Sequence, residues 1–380
     1  MFRQRPLNKL FCGLNEFDTV QDFMFLARSH RQRADAALFR TIVDQFVARP
    51  LHPSADIDQF EKLASGFIEL LDSDCVADCA LDLCRHPETP ASVIARLLEK
   101  GGEATRIAFE FAPTIHAEVL RATAEHGPVE LATAIARRAT LERRVVSMLA
   151  SRGESEVLCA LAANRRAHLG QATRRALVQA GRDDLRLARI LLDRDDLALD
   201  VEPLFLAAAK SERSQIVVEA SAKVLAASAP ENASRPAMST AAEIEACAIA
   251  RDADALIGVL AEALDCRKAR VRAILADAGG EALALALLAL GASEDAAIRI
   301  FLGADRTTQD VERVRSLVAL MRSTPPRAAQ RLVAAMTGSV RQDKDARRAA
   351  LAEGGSTQPL AKARSPGRKR RERELGAKVG

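Results

Sequence analysis

Four glycines, Gly101, Gly127, Gly153 and Gly181, stand 26, 26 and 28 residues apart, and each closes a similar phrase. The phrases are ALDLCRHPETPASVIARLLEKG (80–101), AFEFAPTIHAEVLRATAEHG (108–127), AIARRATLERRVVSMLASRG (134–153) and ALAANRRAHLGQATRRALVQAG (160–181), with a degenerate copy ARILLDRDDLALDVEPLFLAAA at 188–209. Stacked supersecondary units leave this kind of recurrence, because one unit cannot bury its apolar face without a neighbour. Each phrase reads as a short Ala/Leu-rich helix, a break, and a second helix ending at the glycine. In the first, Thr89 is the expected N-cap with Pro90 at the first helical position. Val93, Ile94, Leu97 and Leu98 form the expected buried stripe, and Gly101 can take a left-handed stop. In the third, Thr140 is the expected cap, and Val145, Met148 and Leu149 are expected to be buried. Alanines 80, 108, 136, 160 and 188 permit close helix approach. No segment alternates strictly as a half-exposed strand does. The prediction is an all-α fold, an α-solenoid of helical hairpin repeats with one core running along it.

Either side of this array the composition changes. Nine of the thirteen Phe lie at or before Phe67, so residues 1–66 read as an N-terminal helical element. Within it, Ala34–Ala48 is predicted to be an amphipathic helix with Ala37, Leu38, Ile42 and Phe46 on one face, broken by Pro50 and Pro53. The array covers 67–227. The segment 228–240, SAPENASRPAMST, reads as a linker, and 241–340 as a second helical block. From 341 to 380 the chain is charged and poor in large apolar groups, which predicts disorder.

The net charge of +4 is unevenly placed: residues 361–380 hold eight Lys/Arg and two Asp/Glu, which leaves residues 1–360 at −2. A whole-chain argument for nucleic acid from basicity therefore fails. Seven irregularly spaced cysteines make a poor disulfide framework, and no long apolar stretch follows Met1. The longest apolar run, 282–290, has nine residues and is too short for a membrane span. The expected setting is soluble, reducing and cytoplasmic.

The phrase at 134–169 followed by LLDRDDL at 191–197 resembles a bacterial family, domain-of-unknown-function family 2336, found mainly in alphaproteobacteria and related to HEAT-type helical repeats. The resemblance spans roughly residues 35–320 and is most specific at Ile135–Arg138, Ala163-Asn164 and Arg194–Leu197. It departs at Phe109–Pro113, where the usual Ala/Leu phrase is replaced. It implies a HEAT-like α-solenoid and brings no activity with it.

Chemistry-bearing residues are few. Cys75, Cys79, Cys84 and His86 make a C-x3-C-x4-C-x-H set, the best metal candidate, since zinc accepts three thiolates and an imidazole. The set lacks the usual C-x2-C knuckle, and Cys79 falls where the repeat wants core, so buried structural cysteines are favoured. No phosphate loop or catalytic triad can be read, the carboxylate pairs Asp183-Asp184 and Asp195-Asp196 read as charges at helix starts, and no cofactor is implied. An arginine series is more suggestive. Counted back from the closing glycines, Arg137/Arg138 and Arg165/Arg166 share two positions. Arg85 lies there in the first unit and Arg194 close by in the fifth. Such a series predicts either an edge that grips acidic protein segments or phosphates, or internal bonds to the last carbonyls of the first helices and to nearby acids. Asn164 is expected to cap turn backbone. In the tail, Arg368, Lys369, Arg370 and Arg371 form a basic run that can hold nucleic acid or an anionic surface nonspecifically.

The function expected from these features is a non-enzymatic protein–protein interaction scaffold whose partner the sequence does not name. The alternative is a nucleic-acid-binding protein using the tail and the arginine edge. HEAT-type DNA glycosylases exist and hold a damaged base with aromatic side chains, but the absence of Trp and Tyr and the charge of −2 on residues 1–360 count against that reading here. HEAT-like chromophore lyases also exist, and here would need Cys159 or Cys266 exposed with a lowered pKa.

Overall fold

The computed structural model describes residues 16–227, 238–304 and 311–338, with the side chains of 31–227, 240–303 and 311–338. Among them are nineteen α-helices, one 3-10 turn and no strand. None of these helices is long and apolar enough to cross a membrane.

The helices before residue 201 fall into two rows. The first row is α1 (Glu16–Val47), α3 (Ser73–Arg85), α5 (Gly102–Phe111), α7 (Val129–Ala136), α9 (Ser155–Ala163) and α11 (Leu185–Leu192), each packing on the next. The second row is α2 (Ser54–Leu70), α4 (Ala91–Glu99), α6 (Ala117–His126), α8 (Arg143–Arg152) and α10 (Gln171–Asp183). Here α2 packs on α4, and α6 on α8 and α8 on α10. The weak step, between α4 and α6, falls beside Phe109–Pro113, where the sequence phrase changes. Each helix is held by a few apolar side chains at helical spacing: Val93, Ile94 and Leu97 on α4, and Val145, Val146 and Leu149 on α8. Each such burial contributes roughly 1.5–3 kcal/mol, enough to hold helices too short to persist alone.

Several local expectations are corrected. The buried face of α1 carries Phe39, Val43 and Phe46, while Leu38 is 52% exposed, so the face is turned one residue from the expected one. The larger phenyl rings decide it, with Phe46 stacked on Phe60 at 3.8 Å. Thr89 and Thr140 do not cap: α4 starts after Pro90 and α8 after Glu142. Met148 is half-buried, and Val146 takes its place in the core. Among the closing glycines, Gly153 is the left-handed stop (φ 79°, ψ 0°) the pattern wants. Gly181 instead lies inside α10, where a Cβ would stand 3.1 Å from Leu204 and 3.3 Å from Leu191. It serves close helix approach, so the fourth phrase does not end at its glycine.

Apolar burial is not one uninterrupted core. One cluster runs from Phe39 to Ala112, a second from Phe109 to Leu204 and a third from Phe205 to Met336. Leu98 and Ile115 touch the first two, and Leu192 touches the second and third. The third cluster begins in the 3-10 turn Glu202–Ala207 and α12 (Lys210–Ala226), then takes in α13 (Met238–Ala250), α14 (Ala253–Ala263), α15 (Lys268–Leu275), α16 (Glu281–Ala289), α17 (Glu294–Ala304), α18 (Val311–Ser323) and α19 (Pro326–Thr337). At its centre α16 buries every residue from Ala282 to Leu287, as a helix apolar all round must. Of the expected linker 228–240, residues 228–237 lie outside the described residues, and Met238 already starts α13.

Two charged knots tie the 3-10 turn and α12 to the later helices. Glu202, 3% exposed, accepts from Lys223 (2.9 Å) and Arg331 (2.7 Å). Arg213 donates to Asp277 and Glu281 (each 2.8 Å) and to the carbonyls of Leu206 and Ala208.

Candidate functional site

The arginine series separates into two groups with different work. Arg138, just beyond the end of α7, is 6% exposed and points back to the preceding helix of its row. Its Nη1 donates to the Phe109 carbonyl at 2.6 Å and its Nη2 to the Ala112 carbonyl at 2.7 Å. Phe109 O needs this help because the residue four ahead is Pro113, which has no N–H to donate. Arg194 repeats the move from the end of α11, donating from Nη1 to Ala162 O at 2.5 Å while Asp196 holds its other edge at 2.6 and 2.7 Å. Asn164, at the end of α9, donates from Nδ2 to Ala136 O and Arg138 O, both at 2.8 Å. His86, at the end of α3, meets Arg49 O at 2.8 Å, and the residue four beyond Arg49 is again a proline, Pro53. Each first-row helix end named here is stitched to the one before it, except at α5, where Ala112 offers no side-chain donor.

The remaining arginines stay at the surface. Arg85 lies over the Phe111 ring, 5.5 Å from its centroid. Arg137 stands 3.8 Å from Glu110, and Arg165 reaches Asp195 at 3.2 Å and the Asp193 carbonyl at 3.1 Å. Exposed pairs of this kind contribute about 0–1 kcal/mol and exchange readily. Arg166 is exposed, and among the described residues its side chain carries no hydrogen bond or ion pair. The expected equivalence of Arg165/Arg166 with Arg137/Arg138 is therefore corrected. Asn164 occupies the inward place of Arg138, because Gly181 lies 28 residues beyond Gly153, two more than the earlier glycine spacing.

Arg137, Arg165 and Arg166 border a groove of about 770 Å³ across α5, α7, α9 and α11. Its floor is made by Cys159, Ala160 and Ala163, one face of α9 at helical spacing, where small side chains leave room. Arg186, on α11, adds a fourth cation and likewise makes no side-chain bond among the described residues. Glu110 and Glu156 are the acids present, and Glu110 is already held by Arg106 at 2.9 Å. The groove is thus open and net cationic. Sequence reasoning missed Arg186 and the floor; the signal available was the i, i+3, i+4, i+7 run of Glu156, Cys159, Ala160 and Ala163.

The cysteine–histidine set does not converge. Among the described residues no group of three His, Cys, Asp or Glu side chains is placed to hold a metal ion. Cys79 and Cys84 sit in the first apolar cluster, where burial pushes their thiols up to about 11 and about 12. His86 Nδ1 takes the Glu88 N–H at 3.3 Å, which leaves neither ring nitrogen open. The thiols a lyase would need are buried too: Cys159 is 4% and Cys266 8% exposed, and burial pushes Cys266 up to about 11. The basic run Arg368, Lys369, Arg370 and Arg371 lies outside the described residues.

The sequence pattern of a family described as an uncharacterised protein conserved in bacteria, DUF2336, matches residues 106–334. That span takes in the groove and the helices after it. No curated protein and no solved structure matches the chain.

Proposed function

The chain belongs to the uncharacterised bacterial family DUF2336, and from that premise we propose that it is a non-enzymatic interaction scaffold, its first eleven helices an α-solenoid of HEAT-like hairpins whose outer groove holds an acidic segment of a partner protein. The row of first helices, each packed on the next and bonded end to end, supports the solenoid reading. One observation carries the binding reading. Two arginines of the series are consumed inside the fold, while Arg137, Arg165, Arg166 and Arg186 remain around a groove with a floor of small side chains. Guanidinium groups suit carboxylates, which they meet with paired hydrogen bonds. An open groove, with no enclosed cluster of perturbed acids or bases, suits an extended chain better than a reacting small molecule.

The second reading, nucleic-acid binding, draws on the local charge of residues 361–380, which hold eight Lys/Arg and two Asp/Glu. It predicts salt-steep, sequence-blind attachment through the tail. Anisotropy of a labelled oligoglutamate peptide and of a labelled DNA duplex separates the two. On the scaffold reading the peptide binds the whole chain, the quadruple reversal R137E/R165E/R166E/R186E weakens it about tenfold or more, and ending the chain at Val340 changes little. Peptide binding untouched by the four reversals removes the groove. Duplex binding that is lost with residues 341–380 assigns the nucleic-acid contact to the tail.

A further inference from the structure

A cavity of about 550 Å³ lies among the helices beyond residue 238, far along the chain from the groove. It opens between the end of α13, the start of α14, α15 and the α15–α16 turn. Leu256, Ile257, Ile274, Leu283 and Phe301, each no more than 8% exposed, form the apolar part of its wall, and charged side chains form much of the rest. Its size is within the range of small-molecule sites, and an apolar chamber with a few polar groups is their usual make-up.

The charges at this cavity are unbalanced in a specific way. Its two acids are already engaged: Asp277 accepts from Arg213 at 2.8 and 2.9 Å, and Asp252 caps α14 through the Ala255 N–H at 3.0 Å. Arg251 and Arg272 also line it, are exposed, and among the described residues have no side-chain hydrogen bond or ion pair. Arg251 stands in a costly conformation. Its φ is +56°, in a helix stop closed by Arg251 N–H to Ala248 O and Asp252 N–H to Cys247 O, both 3.1 Å. The matching stop after α16 uses Gly291 (φ +72°), with Ala292 N–H to Leu287 O at 3.0 Å. Glycine takes that backbone without steric cost and a residue with a Cβ does not. The stop after α14 likewise carries a residue with a Cβ, Asp265 (φ +47°), so the conformation recurs at helix ends, and after α13 it places a cation at the cavity mouth.

We propose that this cavity binds a small amphipathic monocarboxylate, a medium-chain fatty acid, with its alkyl chain against Leu256, Ile257, Leu283 and Phe301 and its carboxylate on Arg251 and Arg272. Uncommitted guanidinium groups beside an apolar chamber favour a ligand with one anionic end over a neutral or cationic one. The proposal is independent of the groove and of the partner it holds.

Calorimetric titration of the whole protein with octanoate, and separately with octanol, tests it. One octanoate per chain is expected, bound roughly tenfold more tightly than octanol. Arg251→Gly keeps the left-handed turn and relieves its strain, so it folds. Arg251→Gly and Arg272→Gln should each weaken octanoate about fivefold or more, leaving octanol unchanged. Equal affinity for acid and alcohol, no saturable octanoate heat, or full octanoate affinity in the double variant would each overturn the proposal.

Discussion

Replacing Arg138 by methionine isolates the stitch between α5 and α7. Methionine keeps an unbranched apolar stem of similar reach, so the change removes the guanidinium with little loss of packing. Two hydrogen bonds from a charged donor disappear, each worth about 1.5–3 kcal/mol. The acceptors left behind are the Phe109 carbonyl, which Pro113 cannot serve, and the Ala112 carbonyl. Against this, a buried cation is removed that has no carboxylate partner; burial holds the Arg138 guanidinium below its ordinary range. Relief of that desolvation cancels part of the loss. The net expectation is a destabilisation of about 2–4 kcal/mol, centred on α5 and α7. Lysine should fall between, since one ammonium cannot fork to two carbonyls. The chain has no Trp and no Tyr, so intrinsic fluorescence offers little. Far-ultraviolet circular dichroism in urea gives the midpoint, and amide hydrogen exchange locates the loss. The control is Arg166→Met, exposed and unbonded, expected within about 0.5 kcal/mol of wild type. If Arg138→Met unfolds at the same urea concentration as that control, with exchange at 109–112 unchanged, the stitch contributes nothing and the division of the arginines is wrong.

Three other outcomes rest on particular contacts. Gly181→Leu should cost about 1–3 kcal/mol by overpacking against Leu204, Leu191 and Ala188, seen as a lower thermal midpoint, whereas an unchanged midpoint would show the approach to be loose. Burial raises the Glu202 carboxyl, but hydrogen bonds from Arg331 and Lys223 outweigh it and hold the group below the usual carboxylate range. The unfolded chain therefore takes up that proton first as pH falls. The stabilisation is complete above the ordinary glutamate value of about 4.3 and is lost as pH drops through the lower folded value. Glu202→Gln should cost about 1–3 kcal/mol at pH 7 and make acid unfolding less steep, both read from urea midpoints taken between pH 7 and pH 3. Iodoacetamide followed by mass spectrometry should label half-exposed Cys75 and Cys247 about tenfold or more ahead of Cys79, Cys84 and Cys266, whose buried thiols are pushed up to about 11 or 12.

Much of the helical content was legible because it is local. Val93, Ile94 and Leu97 announce the buried stripe of α4 by spacing alone, and Val145 and Leu149 that of α8. Caps were less legible: Thr89 and Thr140 have the right chemistry but lie outside the first turn that the packing selects. Counting from glycines misplaced the fourth unit, because Gly181 is there for contact with Leu204 and Leu191 and not for a turn. The groove was half visible. Its arginines stood out as a series, but its floor depends on small residues of α9 meeting side chains from α7 and α11.

By itself, then, the sequence determined that the chain is helical and which side chains form the buried stripes of helices such as α4, since these arise from a 3.6-residue period and short-range sterics. Tertiary structure alone decided what adjacent, chemically identical groups do. Arg137 and Arg138 are neighbours in the chain, yet one faces solvent and the other is sealed against Phe109 and Ala112. The physical reason is that a carbonyl orphaned by Pro113 lies within reach of Arg138, 29 residues further along the chain, only once α5 and α7 have packed together.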